Sequence, residues 1–121
     1  MHELSLAEGI IDIVERTAKA NNVHRVKKVR IAVGELAGVD IESLVFAWLS
    51  VRRGGCADQA ELVIERPAGR AWCIDCSKEV PLKRYGDPCP ICSGCHLSAI
   101  GGTELKVIDI IAEDCDDDLN K

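Results

Sequence analysis

Four cysteines stand in two pairs, Cys73-Ile-Asp-Cys76 and Cys89-Pro-Ile-Cys92, separated by the twelve residues 77 to 88. Two Cys-x-x-Cys pairs at this separation offer four thiolates to one small, soft cation, and tetrahedral zinc is the simplest occupant. Each pair wraps as a tight turn, and the intervening stretch leaves room for two short strands that bring the turns face to face. Pro90 fixes a backbone dihedral inside the second turn. Cys95 and His96 follow closely, so five sulfurs and an imidazole compete for four positions. Pro90 favours Cys89 and Cys92. Cys95 and His96 then read as bystanders that exchange into the site only if it rearranges. Cys56, in a glycine-rich turn, and Cys115 read as incidental.

His2 is the other residue with evident chemistry. A histidine at position two can chelate through its imidazole, its own amide nitrogen and the Met1 amine. Those donors close adjacent small rings in a plane, the arrangement preferred by Ni(II) or Cu(II) over Zn(II). A solvated terminal histidine is the plainer alternative.

The elements that must position these groups can be read from periodicity. Ser5-Leu-Ala-Glu8 matches a capping box, so a helix is expected from about Leu6, leaving Met1 to Leu4 outside it. Ala7, Ile10, Ile11, Val14 and Ala18 form its apolar stripe, and Asn21-Asn22 its stop. Val26 to Val33 alternates as a half-buried strand. Asp40 reads as the N-cap of a second helix whose expected apolar face is Ile41, Leu44, Val45, Trp48 and Leu49. Leu62 and Ile64 mark a second strand, and Leu105 to Ile111 a third. Between Pro67 and Gly102 glycine, proline and cysteine replace large apolar residues, so a crosslink or a metal must supply stability that a core of this size cannot.

The expected fold is α+β: a small mixed domain with two helices packed on a three-stranded sheet, plus an inserted zinc-ribbon-like four-cysteine domain. The expected division is a discontinuous nickel-binding domain at 1–66 and 104–113, a zinc-binding domain at 67–103, and an acidic tail at 114–121. Of 121 residues, 47% are hydrophobic and 29% charged, and the net charge is −5. That balance lacks the basic excess needed for general nucleic-acid binding. The acidic, weakly apolar start is unlike a signal peptide. The run Leu44 to Leu49 is too short to span a bilayer. A cytoplasmic protein with reduced or metal-bound cysteines is expected.

The opening Met1-His2-Glu3-Leu4-Ser5-Leu6 resembles the start of the HypA/HybF family, nickel-insertion factors of [NiFe] hydrogenase maturation. The likeness continues through Val33-Gly34-Glu35-Leu36-Ala37-Gly38-Val39-Asp40, Glu42-Ser43-Leu44-Val45-Phe46, both cysteine pairs and Gly102-Thr103-Glu104-Leu105. It spans residues 1 to about 111. The resemblance implies a metallochaperone rather than an enzyme, with Ni(II) as transient cargo at the N-terminus and structural Zn(II) at Cys73, Cys76, Cys89 and Cys92. Implied nickel ligands are His2, through side chain and backbone, the Glu3 backbone nitrogen and the Met1 amine. Asp40 matches a further oxygen ligand proposed in the family. Implied partners are the maturation GTPase (HypB-like) and the hydrogenase large-subunit precursor, with urease accessory proteins in some members.

Two other classes suit the cysteines. A zinc-ribbon adaptor for nucleic acid or protein would use the insert, but Arg70, Lys78, Lys83 and Arg84 are nearly balanced by Asp75, Glu79 and Asp87. A rubredoxin-like electron carrier would hold iron at the same four sulfurs.

Overall fold

The computed structural model describes residues 2–113, without the His2 side chain. The Met1 amine, the His2 imidazole and the acidic tail at 114–121 therefore lie outside the described residues. In order, the elements are α1 (His2–Ala20), β1 (Val26–Val33), α2 (Ile41–Val51), β2 (Glu61–Glu65), β3 (Arg70–Cys73), β4 (Lys78–Pro81), β5 (Leu97–Gly101) and β6 (Leu105–Ala112). Two three-stranded sheets result, ordered β2-β1-β6 and β4-β3-β5. The fold is α+β, as the periodicities imply. The chain forms two compact units, one of Met1–Ile31, Val39–Val63 and Val107–Lys121, the other of Ala32–Gly38 and Ile64–Lys106.

In the first unit α1 buries Ala7, Ile10, Val14 and Ala18, an unbroken stripe at helical spacing. The helix begins at His2 and not near Leu6. Ser5 and Glu8 therefore do not start it. Glu3 sits in the first turn, where a carboxylate is favoured by the helix dipole. At the other end Asn22 adopts φ 56°, and the Val23 N–H returns to the Ala18 carbonyl at 2.8 Å. Asparagine tolerates that left-handed conformation, so the expected stop has a structural cause.

Asp40 caps α2 by accepting from the Ser43 N–H at 3.3 Å. The helix buries Leu44, Ala47 and Trp48 and packs against α1. Val45 and Leu49, expected on the buried face, are instead exposed, and Phe46 is 75% exposed. The helix is apolar nearly all round, so its apolar positions alone could not fix which stripe turns inward. Trp48 is anchored by its indole N–H, which donates to the Ala60 carbonyl at 3.2 Å.

In the second unit β3 lies between β4 and β5, antiparallel to both, with Trp72 opposite Glu79 and Ser98. A register shift falls between Arg70 and Ala71 on the β5 side. Between the cysteine pairs there is one strand, β4, and not two. The first pair instead closes β3, and β5 comes after the second pair.

Candidate metal centres

Cys73 is the last residue of β3, and the chain turns through Ile74-Asp75-Cys76 before entering β4. The two cysteine turns have the same construction. The Ser77 N–H donates to the Cys73 carbonyl and the Ser93 N–H to the Cys89 carbonyl, each at 2.8 Å. Ser77 and Ser93 both adopt a positive φ, 55° and 62°. Each turn aims main-chain N–H groups at sulfur. Cys76 N–H points to Cys73 Sγ, Ile91 N–H to Cys89 Sγ and Gly94 N–H to Cys92 Sγ, all at 3.4 Å. Such donors favour thiolate over thiol.

These turns bring the Cys73, Cys76, Cys89 and Cys92 sulfurs within 4.8 Å of one another. Cys73 and Cys92 are 3.7 Å apart and Cys76 and Cys89 are 3.9 Å apart. A tetrahedral ion with metal–sulfur bonds of about 2.3 Å spaces its sulfurs by about 3.8 Å. Two of the sulfur pairs already stand at that spacing, and all four sulfurs are close enough to share one ion. Proton sharing within it is uneven. Hydrogen bonding with Cys92 first, then burial, pushes the Cys76 thiol up to about 12. The Cys92 N–H first, with that of Ile91, brings Cys89 down to about 7.

Cys73 and Cys89 are also core residues. They are buried with Leu36, Ala71, Val80 and Leu82, while Cys76, Leu97 and Ala99 pack on the cluster half-buried. Leu36 comes from the 32–38 stretch, which the cysteine spacing does not reveal. That stretch is tied in by Glu35, whose carboxylate accepts from the Gly69 N–H at 2.8 Å, and by the Leu36 N–H, which donates to the Gly102 carbonyl at 2.7 Å. Cys95 is exposed and stands outside the four-sulfur group. His96 Nδ1 lies 3.0 Å from the Asp75 carboxylate, a pairing across the two turns that sequence spacing gave no means to find.

The N-terminal residues are placed differently. His2 opens α1, so its N–H and that of Glu3 are among the first-turn donors for which a helix provides no carbonyl. The Glu3 carboxylate accepts from the Asp40 N–H at 3.1 Å. That N–H first, then the N–H of Glu3 itself, holds the carboxyl below its usual range. The starts of α1 and α2 are thereby joined.

A family model described as hydrogenase/urease nickel incorporation, metallochaperone, HypA matches residues 1–112. The chain belongs to the HypA family. The hydrogenase maturation factor HypA of Polaromonas naphthalenivorans is 45% identical over 114 residues, covering 94% of this chain and 99% of the relative. That of Cupriavidus necator is 42% identical, covering 94% and 96%. Among solved structures, a HypA protein in solution shares 27% identity and a TM-score of 0.66 over 93% of this chain and 96% of that one. The Ni metallochaperone HypA from Helicobacter pylori shares the fold, with TM-score 0.64 at 23% identity over 91% and 96%. Membership of the HypA family places the chain among hydrogenase maturation factors. Among the described residues no helix is long and apolar enough to cross a membrane.

Proposed function

We propose that this chain is a cytoplasmic nickel metallochaperone, without enzymatic activity of its own. It would bind Ni(II) at its N-terminus and pass it to the [NiFe] hydrogenase large-subunit precursor. The observation that carries this reading is the Glu3–Asp40 hydrogen bond, which ties the first turn of α1 to the cap of α2. The cargo ligands are His2, through its imidazole and amide nitrogen, the Glu3 amide nitrogen and the Met1 amine, with Asp40 as an added oxygen donor. The α-helix requires no first-turn N–H for its own ladder, so these amides can serve a cation without breaking a helical hydrogen bond. Asp40 already caps α2 through one carboxylate oxygen, which leaves the other to face a cation.

Delivery requires donors that exchange. Nitrogen donors at a chain end can be replaced one at a time by those of an acceptor. They must also lose protons to bind, so acid weakens the site. The four-cysteine cluster is suited to the opposite task. Zn(II) closed by four thiolates has no open position, and its contribution is to hold together a unit whose core is small. Family membership supports two partners, a maturation GTPase (HypB-like) and the large-subunit precursor, with urease accessory proteins as further ones.

Deletion of the gene from a host carrying a [NiFe] hydrogenase tests the delivery role. The expected result is loss of hydrogenase activity, restored by excess nickel in the medium and by the intact chain but not by His2→Ala. Full activity in the deletion strain at limiting nickel would overturn it.

A further inference from the structure

Three donor-bearing side chains outside both centres line a single cavity of about 380 Å³ in the first unit: Glu15, His24 and Cys56. They come from three segments, the last turns of α1, the link to β1, and the turn after α2. Each backbone is held. The Val26 N–H donates to the Cys56 carbonyl at 2.9 Å, which fixes the link carrying His24 beside Cys56. Gly55 lies directly under the Glu15 carboxylate, where a Cβ would overlap Oε2. Ala18 and Val23 give the cavity apolar lining, and Lys19 and Asn22 complete it.

We propose that Glu15, His24 and Cys56 form an open site for a borderline divalent cation of the Ni(II), Co(II) or Zn(II) class. A thiolate, an imidazole and a carboxylate are the donor set such ions prefer, and three protein ligands leave the fourth position to water. Among the described residues the four cysteines of the cluster already stand at ligand separation. The Glu15, His24 and Cys56 donors do not stand at that separation, so the exposed His24 side chain must turn inward for the site to close. On binding, the Cys56 thiol gives its proton to water, and its sulfur donates an electron pair to the cation. Burial first, and the Glu15 carboxylate second, raise the Cys56 thiol. A bare thiolate is therefore disfavoured in the cavity, and a cation supplies the charge that stabilises it. Glu15 lies thirteen residues along α1 from His2, about 20 Å at the helical rise of about 1.5 Å per residue. The site is thus distinct from the N-terminal one and does not depend on that reading.

The test uses the full chain loaded with one zinc per molecule and titrated with Co(II). Zinc outcompetes cobalt at a tetrathiolate, so the cluster stays silent. The expected result is a thiolate-to-cobalt charge-transfer band in the near ultraviolet that saturates with one added equivalent. Cys56→Ser abolishes it, whereas His2→Ala and the Cys95→Ser, Cys115→Ser double variant retain it. Should Cys56→Ser fail to fold, the Glu15→Gln, His24→Ala double variant keeps the thiol and is expected to lose saturation at one equivalent. No band in the parent protein, or a band unchanged in Cys56→Ser or in the double variant, would overturn the proposal.

Discussion

The Glu3 carboxylate takes a hydrogen bond from the Asp40 main-chain N–H at 3.1 Å, while the Asp40 carboxylate takes one from Ser43. One acid thus ties the first turn of α1 to the residue that caps α2. Asp40→Ala removes the cap and should cost about 1 kcal/mol of stability. Asp40→Asn keeps an acceptor oxygen and should restore most of it. If nickel affinity falls in Asp40→Asn while the thermal midpoint does not, Asp40 is a ligand as well as a cap.

The Arg30 guanidinium meets the Asp109 carboxylate with two bonds, at 2.8 and 2.9 Å, and holds that carboxyl below its ordinary range. A lowered folded-state value stabilises the fold above the ordinary carboxylate range, and the gain disappears as pH falls through the lowered value. Glu3 acts in the same direction. Thermal midpoints measured from pH 7 down to pH 2 should fall more steeply for the parent chain than for Asp109→Asn. Both side chains are partly exposed, so salt should shrink the difference.

Removing a cluster cysteine should do more than empty a site. Cys73 is buried in the core as well as placed among the sulfurs. Cys73→Ser is expected to lose the tightly held metal and, with it, amide-exchange protection across β3, β4 and β5. Metal analysis of the parent chain should find about one zinc per chain. The purified protein should be colourless; visible absorption from an iron tetrathiolate would contradict the zinc assignment.

Gly34 has no room for a side chain, because a Cβ there would overlap the Gly102 carbonyl. Gly34→Ala should therefore cost on the order of 1–3 kcal/mol through overpacking. Gly9 has open space around its Cα and is helical, so Gly9→Ala should stabilise by roughly 0.5–1 kcal/mol. Paired denaturant titrations of the two variants would show opposite shifts in midpoint.

The strongly periodic parts of the fold were legible in the chain. The stripe Ala7, Ile10, Val14 and Ala18, the inward Val29, Ile31 and Val33 of β1 and the Asp40 cap all follow from local rules, whereas Val26 and Ala32, on the other face of β1, are buried as well. The errors have physical causes. Ser5 and Glu8 satisfy a local capping pattern, but the helix gains one more turn because Glu3 finds its acceptor role in a contact 37 residues away. Val45 and Leu49 could not be told from buried positions because only packing chooses among the apolar stripes of α2. At the cluster, the spacing left Cys95 and His96 in competition, and Pro90 favoured the Cys89 and Cys92 that stand with Cys73 and Cys76 in the fold. Leu36, the paired Ser77 and Ser93 turns and the Asp75–His96 pairing depend on tertiary geometry. Cys56 looked incidental because its neighbours in space, Glu15 and His24, are remote in sequence.

Isothermal calorimetry of Ni(II) binding to the untagged, zinc-loaded chain and to His2→Ala tests the central claim most directly. The account predicts a nickel event in the parent chain that His2→Ala loses and that weakens as pH falls. Unchanged nickel affinity in His2→Ala would contradict it.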